Sequence, residues 1–159
     1  YLPLDTGIKY IVITSKHHDG FAMYHSEASD YNIVDATPFD RDPIRELAIA
    51  CQEKGLKFGF YYSQSQDWHE KNAYGNNWSF DPDEIDFEVY LEKKCLPQVE
   101  EILTNYGPIS VIFFDTPAEI SRESVQKMSK KSKKISKNGI TSIKISPSDA
   151  SKLPKMQFI

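Results

Sequence analysis

The chain has 159 residues, 40% of them hydrophobic and 13% aromatic, with a formal net charge of −4. That is enough for one domain with a real core and excludes a chain disordered throughout. No apolar run approaches the eighteen residues of a membrane-spanning helix, which excludes that class as well.

The first residue is Tyr1 and no signal-like segment follows it, so the chain reads as cut or processed at its start. Charge is segregated: residues 1–120 hold 9 basic and 21 acidic side chains, residues 121–159 hold 10 and 2. An acidic body suits an enzyme that does not bind nucleic acid.

The first element is the apolar, β-branched run Tyr10-Ile11-Val12-Ile13, which predicts a buried strand. It empties into Thr14-Ser15-Lys16-His17-His18-Asp19-Gly20-Phe21. Titratable side chains leaving the C-terminal end of a parallel strand are where α/β sheets and barrels keep their chemistry. A long connection, Ala22 to Asp40, has the length of a site-building loop. A helix then starts with Asp42 as cap and Pro43 in its first turn. Ile44, Leu47, Ala48 and Cys51 form its apolar stripe, and Gly55 ends it.

A second strand, Lys57 to Tyr62, leads into a polar loop holding Gln66-Asp67-Trp68-His69-Glu70 and Tyr74-Gly75-Asn76-Asn77-Trp78. Asp81-Pro82 predicts the start of a second helix, whose stripe from Phe87 to Tyr106 should be kinked or interrupted by Pro97. Gly107-Pro108 stops it. The third strand, Ile109 to Phe114, ends in Asp115, and a third helix is expected from Ser121. This alternation predicts an α/β fold, with a barrel and an open sheet as rivals. Cys51 and Cys95, without metal-ligand spacing, read as free packed thiols.

From Ser121 onward serines and lysines dominate. A solvated helix face is the plain reading of these lysines. A nucleic-acid arm is disfavoured because no aromatic residues are interleaved to stack bases. The abrupt charge reversal also fits a reading frame that has drifted from an ancestral sequence.

Asp115 is the strongest candidate for chemistry. A carboxylate closing an apolar run is costly to bury without a partner, and one held at a strand end can attack the anomeric carbon of a sugar. The plainer role is a helix cap or a structural ion pair. His17 and His18, being adjacent, point to opposite faces of an extended strand, so both reach one site only if the chain turns at Asp19-Gly20. Hydrogen bonding to sugar hydroxyls suits them better than metal ligation. Of Tyr61 and Tyr62, one faces the rim and the other packs under helices. Trp68 and His69 suit either an aromatic wall for a sugar or loop packing. Asn77-Trp78-Ser79 matches a glycosylation sequon, a weak signal alone.

Taken in order, Lys9 through Phe21, Arg41-Asp42, Gly55 through Ser63 with Asp67-Trp68, and Phe113-Phe114-Asp115 resemble the central part of the family 29 glycoside hydrolases, the α-L-fucosidases. The resemblance covers about residues 8 to 120 and fades after about residue 139. It implies a (β/α)8 catalytic barrel, usually followed by a β-sandwich, and a retaining double-displacement hydrolysis that releases L-fucose from fucosylated glycans. It makes Asp115 the nucleophile and places His17, His18 and Tyr61 on the fucose; Trp68 and Phe113 join these as candidate substrate-binding residues. Phe113 stands where the family commonly has tryptophan. No metal or organic cofactor is implied, and a secreted, periplasmic or lysosomal setting is.

Retention needs a second carboxyl about 5–5.5 Å from the first. Glu119 is the nearest acid after Asp115, but closeness in sequence does not assign it. The strands that supply a further sugar-binding histidine in the family would precede Tyr1. Three to four β/α units fall short of the eight in such a barrel. The expectation is therefore an incomplete TIM-like barrel over residues 1–120, with residues 121–159 as a Lys/Ser-rich helix and divergent tail of the same domain. Open sheet edges would favour association. The rival readings are a non-catalytic or vestigial sugar-binding fragment, and a metal-dependent barrel hydrolase using His17, His18, His69 and Asp115.

Overall fold

Three runs of alternating side chains form the centre of the molecule: β1 (Tyr10–Lys16), β2 (Lys57–Ser63) and β3 (Ile109–Asp115). They pair in parallel, and β4 (Ser142–Ile145) joins beyond β3, so the sheet order is β1-β2-β3-β4. The computed structural model describes residues 7–115, 120–135 and 142–145. β4 falls in what reads from sequence as divergent tail. Its backbone pairing, from Val111 with Ser142 to Phe114 with Ile145, makes it a fourth parallel strand.

Helix α1 (Pro43–Glu53) begins as its sequence dictates. The Asp42 carboxylate accepts from the Arg45 N–H, Pro43 occupies the first turn, and Ile44, Ala48 and Cys51 are buried. The second helix starts later than Asp81-Pro82 predicts. That pair opens only a 3-10 turn, Pro82–Glu84, after which Ile85 is extended; Asp86 then caps a new helix by accepting from the Val89 N–H. The helix runs as α2 (Phe87–Tyr90), a π-helical turn (Leu91–Cys95) and α3 (Leu96–Thr104). Pro97 has no N–H for the carbonyl four residues back, and its ring crowds that carbonyl. A widened turn just before it accommodates both effects.

Helix α4 (Arg122–Ile135) buries Val125 and Met128, and the Ser121 hydroxyl accepts from the Ser124 N–H at 3.0 Å. Lys127 pairs with Glu88 and Glu92, and Lys131 with Glu100. The basic helix thus lies against the acidic outer edge of α2 and α3. Each exposed pair is worth at most about 1 kcal/mol.

The helices cover one face of the sheet. Phe58, Phe60, Tyr62, Ile112 and Phe114 point into a single core with the buried residues of α1, α2 and α3. Gln98 is a fully buried polar member of that core. It accepts from the Tyr62 hydroxyl at 2.8 Å and donates to the Ser26 hydroxyl at 3.1 Å. The other face carries Tyr10, Val12 and Thr14 on β1, Tyr61 and Ser63 on β2, and Val111, Phe113 and Asp115 on β3, aligned by the strand register. Cys51 and Cys95 are both free and buried.

Candidate active site

Tyr61 and Asp115 sit on the same face of neighbouring strands, two residues out of step along the sheet. The Tyr61 hydroxyl donates to Asp115 Oδ2 at 2.6 Å. Burial, reinforced by the hydrogen bond to Asp115 and by its charge, lifts the Tyr61 phenol well above its ordinary value. It therefore stays protonated and acts as a donor. Phe113, also on this face, lies 5.9 Å from the Tyr61 ring.

β1 brings the histidines to this point by breaking its own alternation. Thr14 pairs with Tyr61 and Lys16 with Tyr62, so β1 spends one extra residue there and forms a bulge. Ser15 fills the bulge and donates to the Tyr61 carbonyl at 2.7 Å. Lys16 is thereby turned under the helices, and His17 comes out over the open face. The His17 ring stacks on Tyr61 at 5.4 Å. The turn at Asp19-Gly20 closes through the Gly20 N–H donating to the His17 carbonyl at 3.1 Å. With Gly20 at φ 84, it brings the two imidazoles to 4.2 Å.

One tautomer of His18 satisfies both contacts of Ser63. With Ser63 Oγ donating to the Gln66 carbonyl at 3.0 Å, His18 Nδ1 donates to Ser63 Oγ at 2.7 Å. Burial, then the neighbouring His17, pulls the His18 pKa below its ordinary value. A neutral ring with Nδ1–H engaged leaves Nε2 as an acceptor for a ligand hydroxyl.

Beneath the site lies a buried charge cluster. Lys16, fully buried, meets Asp67 Oδ2 at 3.2 Å and the Tyr90 hydroxyl at 2.8 Å. Lys94 reaches the same carboxylate oxygen at 2.9 Å from the π-helical turn. Burial alone would raise the Asp67 carboxyl, but the two ammonium groups outweigh it and hold it below the usual carboxylate range. Burial lowers the Lys16 pKa, an effect that Asp67 partly offsets. Burial also pushes the adjacent Cys95 thiol up to about 12. Asp67 Oδ1 accepts from the His69 N–H at 3.2 Å. A Cβ at Gly20 would fall 2.1 Å from that oxygen, so the histidine turn is packed directly on Asp67.

Trp68 continues the wall. Its N–H donates to the His18 carbonyl at 2.7 Å, and its ring lies 6.1 Å from the His18 ring. Asp115, His17, His18, Tyr61, Trp68 and Phe113 are therefore brought together on one rim. Tyr62 faces the helices, and the His69 ring stacks on Tyr31 at 4.0 Å. Among the described residues, no group of three His, Cys, Asp or Glu side chains is placed to hold a metal ion. Glu119 lies outside the described residues. Sequence reasoning gave no role to Lys16, Ser63, Gln66 and Lys94. A lysine ending an apolar strand was the available signal for Lys16, but exposure is the default expectation for that residue type.

The alpha-L-fucosidase family model matches residues 3–155. The chain belongs to the α-L-fucosidase family. The match continues past residue 139, so the tail retains family character beyond the point where the motifs fade. Human plasma alpha-L-fucosidase is 37% identical over 105 residues, covering 65% of this chain and 21% of the human protein. The alpha-L-fucosidase AlfC from Lactobacillus casei, solved in complex with alpha-L-fucose product, superposes with a TM-score of 0.81 at 45% identity. That likeness covers 86% of this chain and 46% of AlfC. The enzyme from Vibrio sp. strain EJY3 gives 0.77 at 43% identity, covering 84% of this chain and 24% of that one. This chain thus spans less than half the length of each of these family members.

Proposed function

We propose that this chain is the nucleophile-bearing part of a retaining exo-α-L-fucosidase, acting on fucosylated oligosaccharides or glycoconjugates. The observation that carries the reading is the Asp115 carboxylate, oriented by the Tyr61 hydroxyl at 2.6 Å on the rim shared with both histidines. Family membership supplies the sugar, and the likeness to a fucose-bound enzyme supports it.

In this reading the strands form part of a (β/α)8 barrel. Sequential order of the parallel strands, with helices on one face, supports a barrel wall over a doubly wound sheet, whose order reverses at a switch point. The open face is then the barrel interior, and the rim holding Asp115 is the catalytic end.

Tyr61 occupies one carboxylate oxygen of Asp115, leaving the other to attack the anomeric carbon. The bond from that carbon to the glycosidic oxygen breaks as the carbon–carboxylate bond forms. The departing oxygen takes a proton from an acid, which next deprotonates the water that releases fucose and frees Asp115. His18 Nε2 accepts from a sugar hydroxyl, and the stacked His17–Tyr61 pair and Phe113 close the pocket's side. The plasma location in the human relative's name supports an extracellular setting.

The test is covalent capture. The protein at its natural length is incubated with a 2-fluoro-fucosyl fluoride and mapped by mass spectrometry. Labelling of Asp115 is expected. Inactivation with the label on another carboxylate would reassign the nucleophile, and binding of fucose without labelling or turnover would make this a sugar-binding protein instead.

A further inference from the structure

Five ring contacts run without a break from Phe113, beside the Asp115 partner Tyr61, to solvent. Phe113, Tyr61, His17, His18 and Trp68 follow one another, and Trp68 meets Trp78 edge-on at 5.6 Å. Trp78 is the most exposed large hydrophobic residue described, at 69%, and Trp68 is 39% exposed. The first rings of this line are accounted for by a single pyranose on Asp115. The two indoles at its outer end are not.

The loop presenting them is built to hold them still. Asn76 donates through Nδ2 to the Trp68 carbonyl at 2.6 Å and accepts through Oδ1 from the Ser79 N–H at 2.9 Å. Gly75, at φ 93, passes so near that a Cβ there would meet Trp68 Nε1 at 2.8 Å. Rigid placement of an exposed indole removes the ordering cost that usually weakens surface contacts. The chemistry of the loop is selective too. No charged residue stands between Asn72 and Phe80, only amides, aromatics, a serine, a glycine and an alanine. Such a surface offers no counter-charge for an ionic ligand and suits neutral C–H faces flanked by hydroxyls.

We infer that Trp68 and Trp78 form a platform for the neutral pyranose that carries the fucose, the leaving-group sugar of the reaction. The inference rests on the fucosidase reading and deepens it. Trp68 flanks the junction of the two sugars, and Trp78 stacks on the second.

The test compares Trp78→Ala and Trp78→Phe in the protein at its natural length. One substrate is α-L-fucosyl fluoride, which has no leaving-group sugar; the other is a fucosyl-N-acetylglucosamine disaccharide. Trp78→Ala is expected to lower kcat/KM on the disaccharide about tenfold and leave the fluoride unchanged, with Trp78→Phe restoring most of the loss. Equal losses on both substrates would assign Trp78 to packing, and no loss on either would remove it from the site; both results overturn the platform. If the parent protein cleaves neither substrate, the fucosidase reading fails, and NMR decides the platform separately. The Trp78 indole N–H resonance, assigned by its disappearance in Trp78→Phe, should then shift on adding N-acetylglucosamine. Absence of a shift at millimolar sugar overturns the platform.

Discussion

The two faces of the sheet are made from the same strands yet are finished differently. On the helix side Phe60, Tyr62, Ile112 and Phe114 are essentially inaccessible, whereas on the open side Tyr10 is 61% and Val12 41% exposed. The first face is completed by this chain's own helices. The second combines apolar side chains at the start of the strands with hydrogen-bonded polar and aromatic groups at their ends. Alternation along one strand thus divides labour: one set of residues holds the fold, and the next set builds the rim.

This division predicts that helix-side changes cost stability and open-face changes cost turnover. The largest effect belongs to the buried cluster. Asp67→Ala leaves two ammonium groups buried without their carboxylate and should destabilise by about 3–5 kcal/mol in denaturant unfolding. Asp67 also gives a sign for pH. Its folded-state pKa is depressed, so its contribution is present above the ordinary carboxylate range and is lost as pH falls through the lowered value. A stability curve that is flat through that acid range in the parent protein would contradict the ion cluster.

Phe60→Ala comes next, at about 3–4 kcal/mol from lost packing. Val12→Ala, on the open face of the same sheet, should stay within about 1 kcal/mol when the described elements alone are considered. A large loss at Val12 in the protein at its natural length would instead show that further chain covers this face, sharpening the comparison to one between two interiors.

Tyr61→Phe keeps the ring stacked under His17 and deletes only the donor to Asp115. A lost hydrogen bond to a charged group corresponds to about 1.5–3 kcal/mol, or roughly ten- to a hundredfold in kcat/KM, with little change in unfolding midpoint. The smallest effect is spectroscopic. The His18 ring should titrate below the ordinary histidine value because burial and His17 disfavour its charge. Sugar affinity should hold above that midpoint and weaken as pH falls through it, when Nε2 gains a proton and ceases to accept. A histidine NMR titration with His18 above 6.5 would remove this acceptor role.

Much of this was legible in the residues. Strand ends rich in titratable groups located the rim, and Asp42-Pro43 with its apolar stripe fixed α1. The convergence of His17, His18, Tyr61 and Asp115 followed from parallel strands plus a turn at Gly20. What escaped was non-local. Asp81-Pro82 and Asp86 are both fair caps, and only the extended Ile85 between them decides which one starts the helix. Lys16 and Lys94 belong to a residue type that is exposed by default, and their burial depends on a carboxylate arriving from another loop. β4 is four residues long, set among lysines and serines, and shows itself by pairing rather than by composition.

The bulge in β1 carries one more consequence. It works as a phase shift, converting a strand whose odd and even positions would otherwise keep their sides into one where Lys16 and His17 exchange them. Deleting Ser15 would leave Lys16 opposite Tyr62 and both side chains where they are. A substitution that straightened the strand while keeping Ser15 paired within it would instead restore the original phase, sending a lysine toward the open face and an imidazole toward the charge cluster. The composition of the motif would be nearly unchanged and both of its environments would be wrong. The reading frame of side chains along β1, as much as their identity, therefore specifies this site.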